Sequence, residues 1–595
     1  MTTNHRLFFY CNFLLPKKEW LIALLVMLFS TYTVSAQQAN TVSGKITSEK
    51  DGMPLPGVNI LVKGSSASAS TGFDGEYSIN AKPTDVLVFS YVGYETKEVT
   101  ISNRKQINYA LKDDTNNKLN EVVVIGYGTQ KKADLTGSVS VVKVADAKKT
   151  ITYDVAKMLQ GQAAGVTVQS SGEPGGFVNI KIRGISSFNN TNPLFVVDGM
   201  MVDSPNDFST GEIESMQVLK DASSAAIYGV RGANGVIIIT TKKGKAGQVS
   251  ISYKNLFGVQ NVARKWDVTN REQYQKIVTA AEQNYMDTTG IMIGIAPAND
   301  PTNPGYINNV DTDWQDAAFK TGTIQNHSLT INGGAESLSY NVNIDYFKNT
   351  GYVESPQDYE RYTTTLNFNG KKGKFKYGGK LGYTQSDKEN FTENLNSVIG
   401  SLATAIPTMP VYDSNRLGGY GGTTNSGQRA ISLNVIGYNN VMDNTTERNR
   451  FIGDIWGEYE FIDGLKFKTD VSFDRTDWHN HIYNPPSDLG WRYIVNPENA
   501  TLNIELGNTT RTFFNNFLTY EKTINKHKFD VLAGWIQEKN DFYKNWSRGT
   551  GYETGEISQI QNATTIVGGE WASTITTLSY ITRLNYSYAD KYLIQ

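Results

Sequence analysis

The 595-residue chain carries 56 basic and 58 acidic side chains, a formal charge of −2, so no global field selects nucleic acid as a partner. Its 54 Gly, 33 Tyr and 25 Phe point to many short strands and turns rather than helical bundles, in a chain long enough for several domains. One cysteine and five histidines leave little material for thiol or metal chemistry.

At the N-terminus, Lys17 and Lys18 precede an apolar run, WLIALLVMLF, and then Val34-Ser35-Ala36 has the small-residue spacing of a signal-peptidase site. This predicts a signal peptide over 1–36, cleaved after Ala36 and taking Cys11 with it. The mature chain then has no thiol for disulfides, metal binding or lipid attachment. No other segment reaches about 18 continuous apolar residues, so an exported chain that meets a membrane must cross it as a barrel.

Over 37–112, short apolar runs alternate with turns: VSGKIT, GVNILVKG, GEYSIN, VLVFSYVGY and KEVTI. Six or seven strands in about 70 residues predict a small antiparallel β-sandwich. The stretch PLPGVNILVKG, with TGFDGEYSI after it, resembles the carboxypeptidase regulatory-like module, which implies a fold and no catalysis. A polar linker follows over 113–132. It contains the aliphatic run Val122-Val123-Val124-Ile125, which wants to be a strand and needs a partner.

From 133 to 247 strands alternate with short helical pieces. GVTVQ, VNIKIRG, PLFVVDGM, IESMQVLK and GVIIITTKKG read as strands, and DVAKMLQGQ and DASSAAIYG as helices, which makes a mixed α+β domain. Asp198-Gly199 reads as a turn.

Over 248–595 the texture changes to long amphipathic strands. In SLSYNVNIDYF, Leu338, Tyr340, Val342, Ile344 and Tyr346 share one face, and Ser339, Asn341, Asn343 and Asp345 the other. Phe375 to Thr384 and Leu465 to Asp474 repeat the pattern. About eleven strands are joined alternately by long and short connections. The long ones fall at 262–327, 349–361, 387–449, 477–509 and 540–576, and the short ones are GGAE, NGKK, IDG, KTINKH and AD. Tight turns at one end and long loops at the other are the asymmetry of a transmembrane antiparallel barrel, which a soluble sandwich has no reason to show. The strand pattern is still running at Gln595, so the sequence predicts that the barrel continues past it.

The stretches LQGQAAGVTVQSSGEPGG, IKIRGISSFNNTNPLFVVDGM and IESMQVLKDASSAAIYGVRGANGVIIITTKKG, with DTDWQDAAFKTGTIQNHSLTINGG after them, resemble the SusC/RagA family of TonB-dependent outer-membrane transporters. The likeness begins at EVVVIGYGTQKK and implies a plug domain over 133–247 inside a barrel of about 22 strands. It implies that Glu121, Val122, Val123, Val124, Ile125, Gly126, Tyr127, Gly128 and Thr129 form the Ton box, a ribbon to which TonB adds a strand. An ordinary plug strand is the alternative reading of Val122 to Ile125. The resemblance further implies that the plug arginines Arg183 and Arg231 meet acidic residues of the barrel wall, where a planar guanidinium suits a carboxylate. Solvated turn arginines are the alternative.

The implied partners are TonB with the inner-membrane proton-motive-force complex, a SusD-like surface lipoprotein, outer-membrane lipid, and an oligosaccharide or peptide substrate. The implied location is the outer membrane, with the N-terminal domain and Ton box in the periplasm. Tyr412, Tyr420 and Tyr438, in a glycine-rich loop, are candidates to stack on sugar rings. His479 and His481 sit two apart in DWHNHIY, but there is no H-E-x-x-H, no G-x-x-x-x-G-K-[ST] and no G-x-S-x-G. No catalytic residue, metal site or cofactor is expected. The reading is an active importer; an adhesin or passive porin needs neither plug nor Ton box.

Overall fold

The computed structural model describes residues 41–594, apart from 66, 92–93, 113–121, 126–127, 132–137, 149–151, 153, 186–190, 392–394 and 590. The expected signal peptide and most of the linker lie outside the described residues. The chain divides into two units, Met1–Lys118 and Leu119–Gln595, taken here in turn.

In the first unit, Thr41–Ser48 alternates exposed and buried positions along its length. It pairs antiparallel with Glu76–Asn80 and parallel with Tyr109–Leu111. A second sheet runs Ser68–Ser70, Asn59–Val62, Val86–Ser90, Lys97–Thr100. One apolar core, with Ile46, Ile60, Leu87 and Phe89 at its centre, joins the two sheets into a seven-stranded sandwich.

The second unit contains a five-stranded mixed sheet in the order Val139–Val142, Ile213–Leu219, Val236–Thr241, Leu194–Val197, Met200–Val202. Leu194–Val197 and Val236–Thr241 are parallel, and the other pairs antiparallel. The central strands read as near-continuous aliphatic runs because both faces are covered; Val218, Ile237 and Ile239 are fully buried. Asp198 and Gly199, both at positive φ, close the hairpin between Leu194–Val197 and Met200–Val202, the backbone that a two-residue turn demands. DVAKMLQGQ forms only the short 3-10 turn Lys157–Leu159 instead of a helix. Asp154 Oδ1 accepts from the Ala156 backbone N–H at 2.7 Å, and Gly161 at positive φ follows, so the start cap and the stop are too close for an α-helix.

The remainder is an eleven-stranded antiparallel sheet in strict sequence order: Gly247–Gln260, Gly322–Ala335, Leu338–Asn349, Tyr359–Lys372, Phe375–Glu389, Asp443–Ile462, Leu465–Asn484, Thr501–Ile524, His527–Thr550, Thr565–Tyr588 and Tyr592–Ile594. Its burial is inverted relative to a soluble sheet. In Leu338–Asn349 the polar side chains of Asn341, Asn343 and Asp345 are buried while Ile344 is 46% exposed. On the sixth strand Phe451, Ile455 and Tyr459 point outward, Ile455 being 62% exposed. Phe451 to Tyr459 covers about 27 Å of strand, an aromatic-flanked apolar band of the height that a barrel presents to lipid.

Later strands run to 24 residues, more than twice what the hydrocarbon needs. The expected loops at 477–509 and 540–576 therefore shrink to 485–500 and 551–564. The ladder of backbone hydrogen bonds continues where the apolar alternation stops. His479 and His481 consequently lie on a strand, each facing its own carboxylate, Glu447 at 3.8 Å and Asp443 at 3.4 Å.

A charge placed in the outward band tests this inversion. Ile455→Arg is expected to cost about 2–4 kcal/mol of barrel stability, read as a lowered urea midpoint after folding into lipid vesicles, with Ile455→Leu close to neutral.

Candidate functional site

The ribbon Val122–Ile125 pairs antiparallel with Gly128–Lys131, in register from Val122 opposite Lys131 to Ile125 opposite Gly128. These two strands form a sheet of their own, separate from the five-stranded plug sheet. The aliphatic run thus has a partner inside its own chain. A Cβ on Gly128 would come 3.0 Å from Arg583 Nη2, so this end of the ribbon lies by the tenth strand of the long sheet. Glu121, Gly126 and Tyr127 lie outside the described residues.

The plug meets the long sheet chiefly through the segment 203–212, which follows the Asp198-Gly199 hairpin. Ser209 and Glu212 form a capping box around the turn Thr210–Glu212, the reciprocal bonding that fixes a turn's first residues. That box buries Glu212 and aims it at Lys380 Nζ, 3.6 Å away. Lys380 Nζ also lies 3.3 Å from Asp198 Oδ2, and Asp198 accepts from the Thr241 N–H at 2.8 Å and hydroxyl at 2.6 Å.

Asp207 is the centre of a second group. Arg450 Nη1 donates to it at 2.8 Å, and Arg448 Nη2 lies 3.1 Å away. The rest of the Arg450 fork holds Asp474 through two bonds of 2.8 Å. Phe208 packs between the cations, with Lys380 Nζ at 4.7 Å and Arg450 at 5.4 Å from its ring centroid, a desolvated cation–π arrangement. Arg361 donates to the Asn206 carbonyl, and Thr384 donates to the Asp207 carbonyl at 2.9 Å.

Burial pushes Asp207 up, but Arg448, Arg450 and Arg361 together bring it below the ordinary carboxylate range. Asp198 behaves likewise, raised by burial and pulled down further by Lys380 and by the Thr241 hydroxyl and N–H. Both carboxylates are therefore ionised and matched.

Arg231 reaches the sheet: its Nη1 donates to Glu538 Oε1 at 3.0 Å in a two-pronged pair. Arg183 does not; it is paired with Asp221, which belongs to the plug itself and also accepts from the Ser138 N–H. Arg183 sits at positive φ just after Val178–Ile182, a turn that directs it back over its own domain. The prevailing polarity also differs from the expected one. The sheet supplies the cations Arg361, Lys380, Arg448, Arg450 and Arg511, and the plug supplies the carboxylates Asp198, Asp203, Asp207 and Glu212. In the long connection between the fifth and sixth strands the rings of Tyr412 and Tyr420 stand 5.4 Å apart, whereas Tyr438 lies half-buried in the helix Val435–Val441.

Asp207 gives a pH test of this seat. Its folded pKa is depressed, so its contribution is present above the unfolded value of about 3.9 and is lost as pH falls through the lower folded value. Plug release in urea is expected to be flat between about pH 8 and 5 and to become easier only below about pH 4. Asp207→Asn should lower the urea midpoint at neutral pH, a loss of about 3–5 kcal/mol as for one partner removed from a buried pair.

Residues 42–124 match the CarboxypepD_reg-like domain, and residues 131–236 match the TonB-dependent receptor plug domain. TonB-dependent receptor P3 of Formosa agariphila is 34% identical over 587 residues, 96% of this chain and 55% of that protein. TonB-dependent receptor SusC of Bacteroides thetaiotaomicron is 32% identical over 609 residues, 96% of this chain and 57% of that protein. The chain spans about half the length of these curated relatives. In fold it is similar to the RagAB peptide importer in the 'open-open' state, with a TM-score of 0.65 and 22% identity over 79% of this chain and 55% of that one. With its sandwich, plug domain and inverted long sheet, the chain is similar, over the residues it spans, to SusC-type TonB-dependent receptors.

Proposed function

We propose that the chain is the receptor part of an energised outer-membrane importer, taking up a nutrient oligomer, a glycan or a peptide. The observation that carries this reading is the chemistry of the plug seat. A permanent stopper is held most economically by apolar contact, because replacing a buried ion pair by apolar residues is often neutral or stabilising. Here Ile452 and Phe513 give some apolar contact, but much of the seat is built from Asp207, Arg450, Lys380, Glu212, Arg231 and Glu538, groups that regain hydration when they part. Such a plug can be displaced and can return.

In this reading 37–112 is the regulatory-like sandwich and 113–132 a linker that carries the Ton box over Glu121 to Thr129. The plug then occupies 133–247 and the barrel 248–595, with the sandwich and the Ton box on the periplasmic side. TonB, driven by the inner-membrane proton-motive-force complex, adds a strand to Val122–Ile125 and pulls. A SusD-like lipoprotein covers the outer face, in keeping with the SusC relative and with the fold shared with the RagAB peptide importer. Arg231 serves as a latch on Glu538, while Arg183 stiffens the plug through Asp221. The relatives are receptors and transporters, and no enzymatic step is assigned.

Backbone donors matter more than side chains in strand addition. Val124→Pro, which removes a donor and disfavours the strand, is expected to abolish energised uptake, and Val124→Thr to leave it largely intact. Both variants should reach the membrane in normal amounts. Normal uptake by the proline variant, or equal damage from the two, would overturn the assignment of the ribbon.

A further inference from the structure

Four aromatic side chains form a band across the upper, plug-facing side of the long sheet. Their face is fixed by strand parity. Arg511, Asn503 and Glu505 belong to the same strand and the same side, and Arg511 pairs with plug Asp203. Phe542, Lys544 and Trp546 share parity with Glu538, which holds plug Arg231. Trp571 is in register with Lys544. The band lies towards the long connection 551–564, so it stands beyond the plug on the loop side; Lys544 is about 20 Å along the strand from Glu538.

Two of the indoles lie flat on the sheet because the residue beneath each is glycine. Trp478 is in register with Gly507, where a Cβ would come 2.3 Å from the ring. Trp546 is in register with Gly569, where a Cβ would come 3.2 Å from Nε1. Each indole therefore has one face against backbone; Trp546 is exposed and Trp478 half-buried. Phe542 continues the surface, 5.7 Å from Trp478 between ring centroids, and Trp571 extends it to the next strand. Four strands at about 4.8 Å spacing make the band roughly 15 Å wide.

Beside it is a cavity of about 570 Å³ whose lining includes Asn503, Glu505, Phe542, Lys544 and Trp546 on this face and Glu570 on the other. Its charged groups on this face are matched: Lys544 is paired with Glu505, which also accepts from Trp478 Nε1 at 3.2 Å. At its lower end Trp478 also lines a cavity of about 350 Å³ shared with plug residues Asp203 and Ser204.

We propose that this band is a binding shelf for a neutral oligosaccharide. A pyranose ring presents a flat face of C–H bonds, weakly positive, which suits the negative face of an indole. Asn503, Glu505 and Lys544 at the edge offer donors and acceptors for ring hydroxyls. A peptide fits less well, because its termini need unmatched countercharges and here the lysine and glutamate satisfy each other. The proposal rests on the import reading and narrows its substrate to glycans.

The test is equilibrium binding to the detergent-purified protein, followed by tryptophan emission and calorimetry. The probes are a panel of short neutral oligosaccharides and a panel of short peptides. At least one oligosaccharide should bind, with Trp546→Ala and Trp571→Ala each weakening it about tenfold. Trp546→Phe should restore most of the loss, and Trp535→Ala, on the opposite face of the same strand as Trp546, should change nothing. Binding of peptides alone, no binding from either panel, or unchanged binding by both alanine variants would overturn the shelf. Val124→Pro separates the two readings, because binding needs no energy source. If that variant binds glycan but still takes it up normally, the import mechanism fails and the shelf stands. If it loses uptake while the alanine variants bind as the parent does, the shelf fails and the import mechanism stands.

Discussion

A single-layer sheet that faces lipid on one side must turn its polar groups to the other. Everything else in the second unit follows from that constraint. Ile344 and Ile455 are outside, and Asn341, Asn343 and Asp345 are inside; a domain seated within the sheet therefore meets mainly amides, hydroxyls and charges. The plug core around Val218, Ile237 and Ile239 takes in Ile452 and Phe513 of the sheet, and around that apolar contact the plug presents carboxylates to the sheet.

The seat has the energetics of that polarity. Removing one partner from Arg450, Asp207 and Asp474 is severe, since it strands a buried charge. Displacing the whole plug into water restores hydration to every member of the group, so the intact interface is weaker than a count of its bonds suggests.

Much of this was legible in the sequence. The alternation in Leu338 to Tyr346 foretold the inverted sheet, because a period of two is retained whichever face is wet. The plug strands were legible because aliphatic runs such as Val236–Thr241 and glycine turns such as Asp198-Gly199 are local signals. The strand ends beyond 477 and 540 were not, since both faces there are polar and the periodicity disappears while the backbone ladder continues. Nor were Lys380 and Arg450: a cation on the wet face of a strand looks the same in sequence whether it meets water or a carboxylate some 180 or 240 residues earlier. The two flat indoles were missed for a related reason, as the glycines beneath them lie on neighbouring strands.

The pairing of Val122–Ile125 with Gly128–Lys131 has a mechanical meaning. Under the proposed coupling, a partner bonded to the first strand would pull at one arm of a hairpin, while the other arm leads on to the plug. That geometry unzips the ladder one bond at a time, starting from Val122 and Lys131 at the open end, instead of shearing all its bonds together. Ten residues drawn straight reach about 33–36 Å, so the first few nanometres of travel would open the hairpin and take up slack. Only then would tension reach the ion pairs around Asp207. In that case a thermal tug that stops short would relax as the hairpin closes again, and only a sustained stroke would be passed on to the plug.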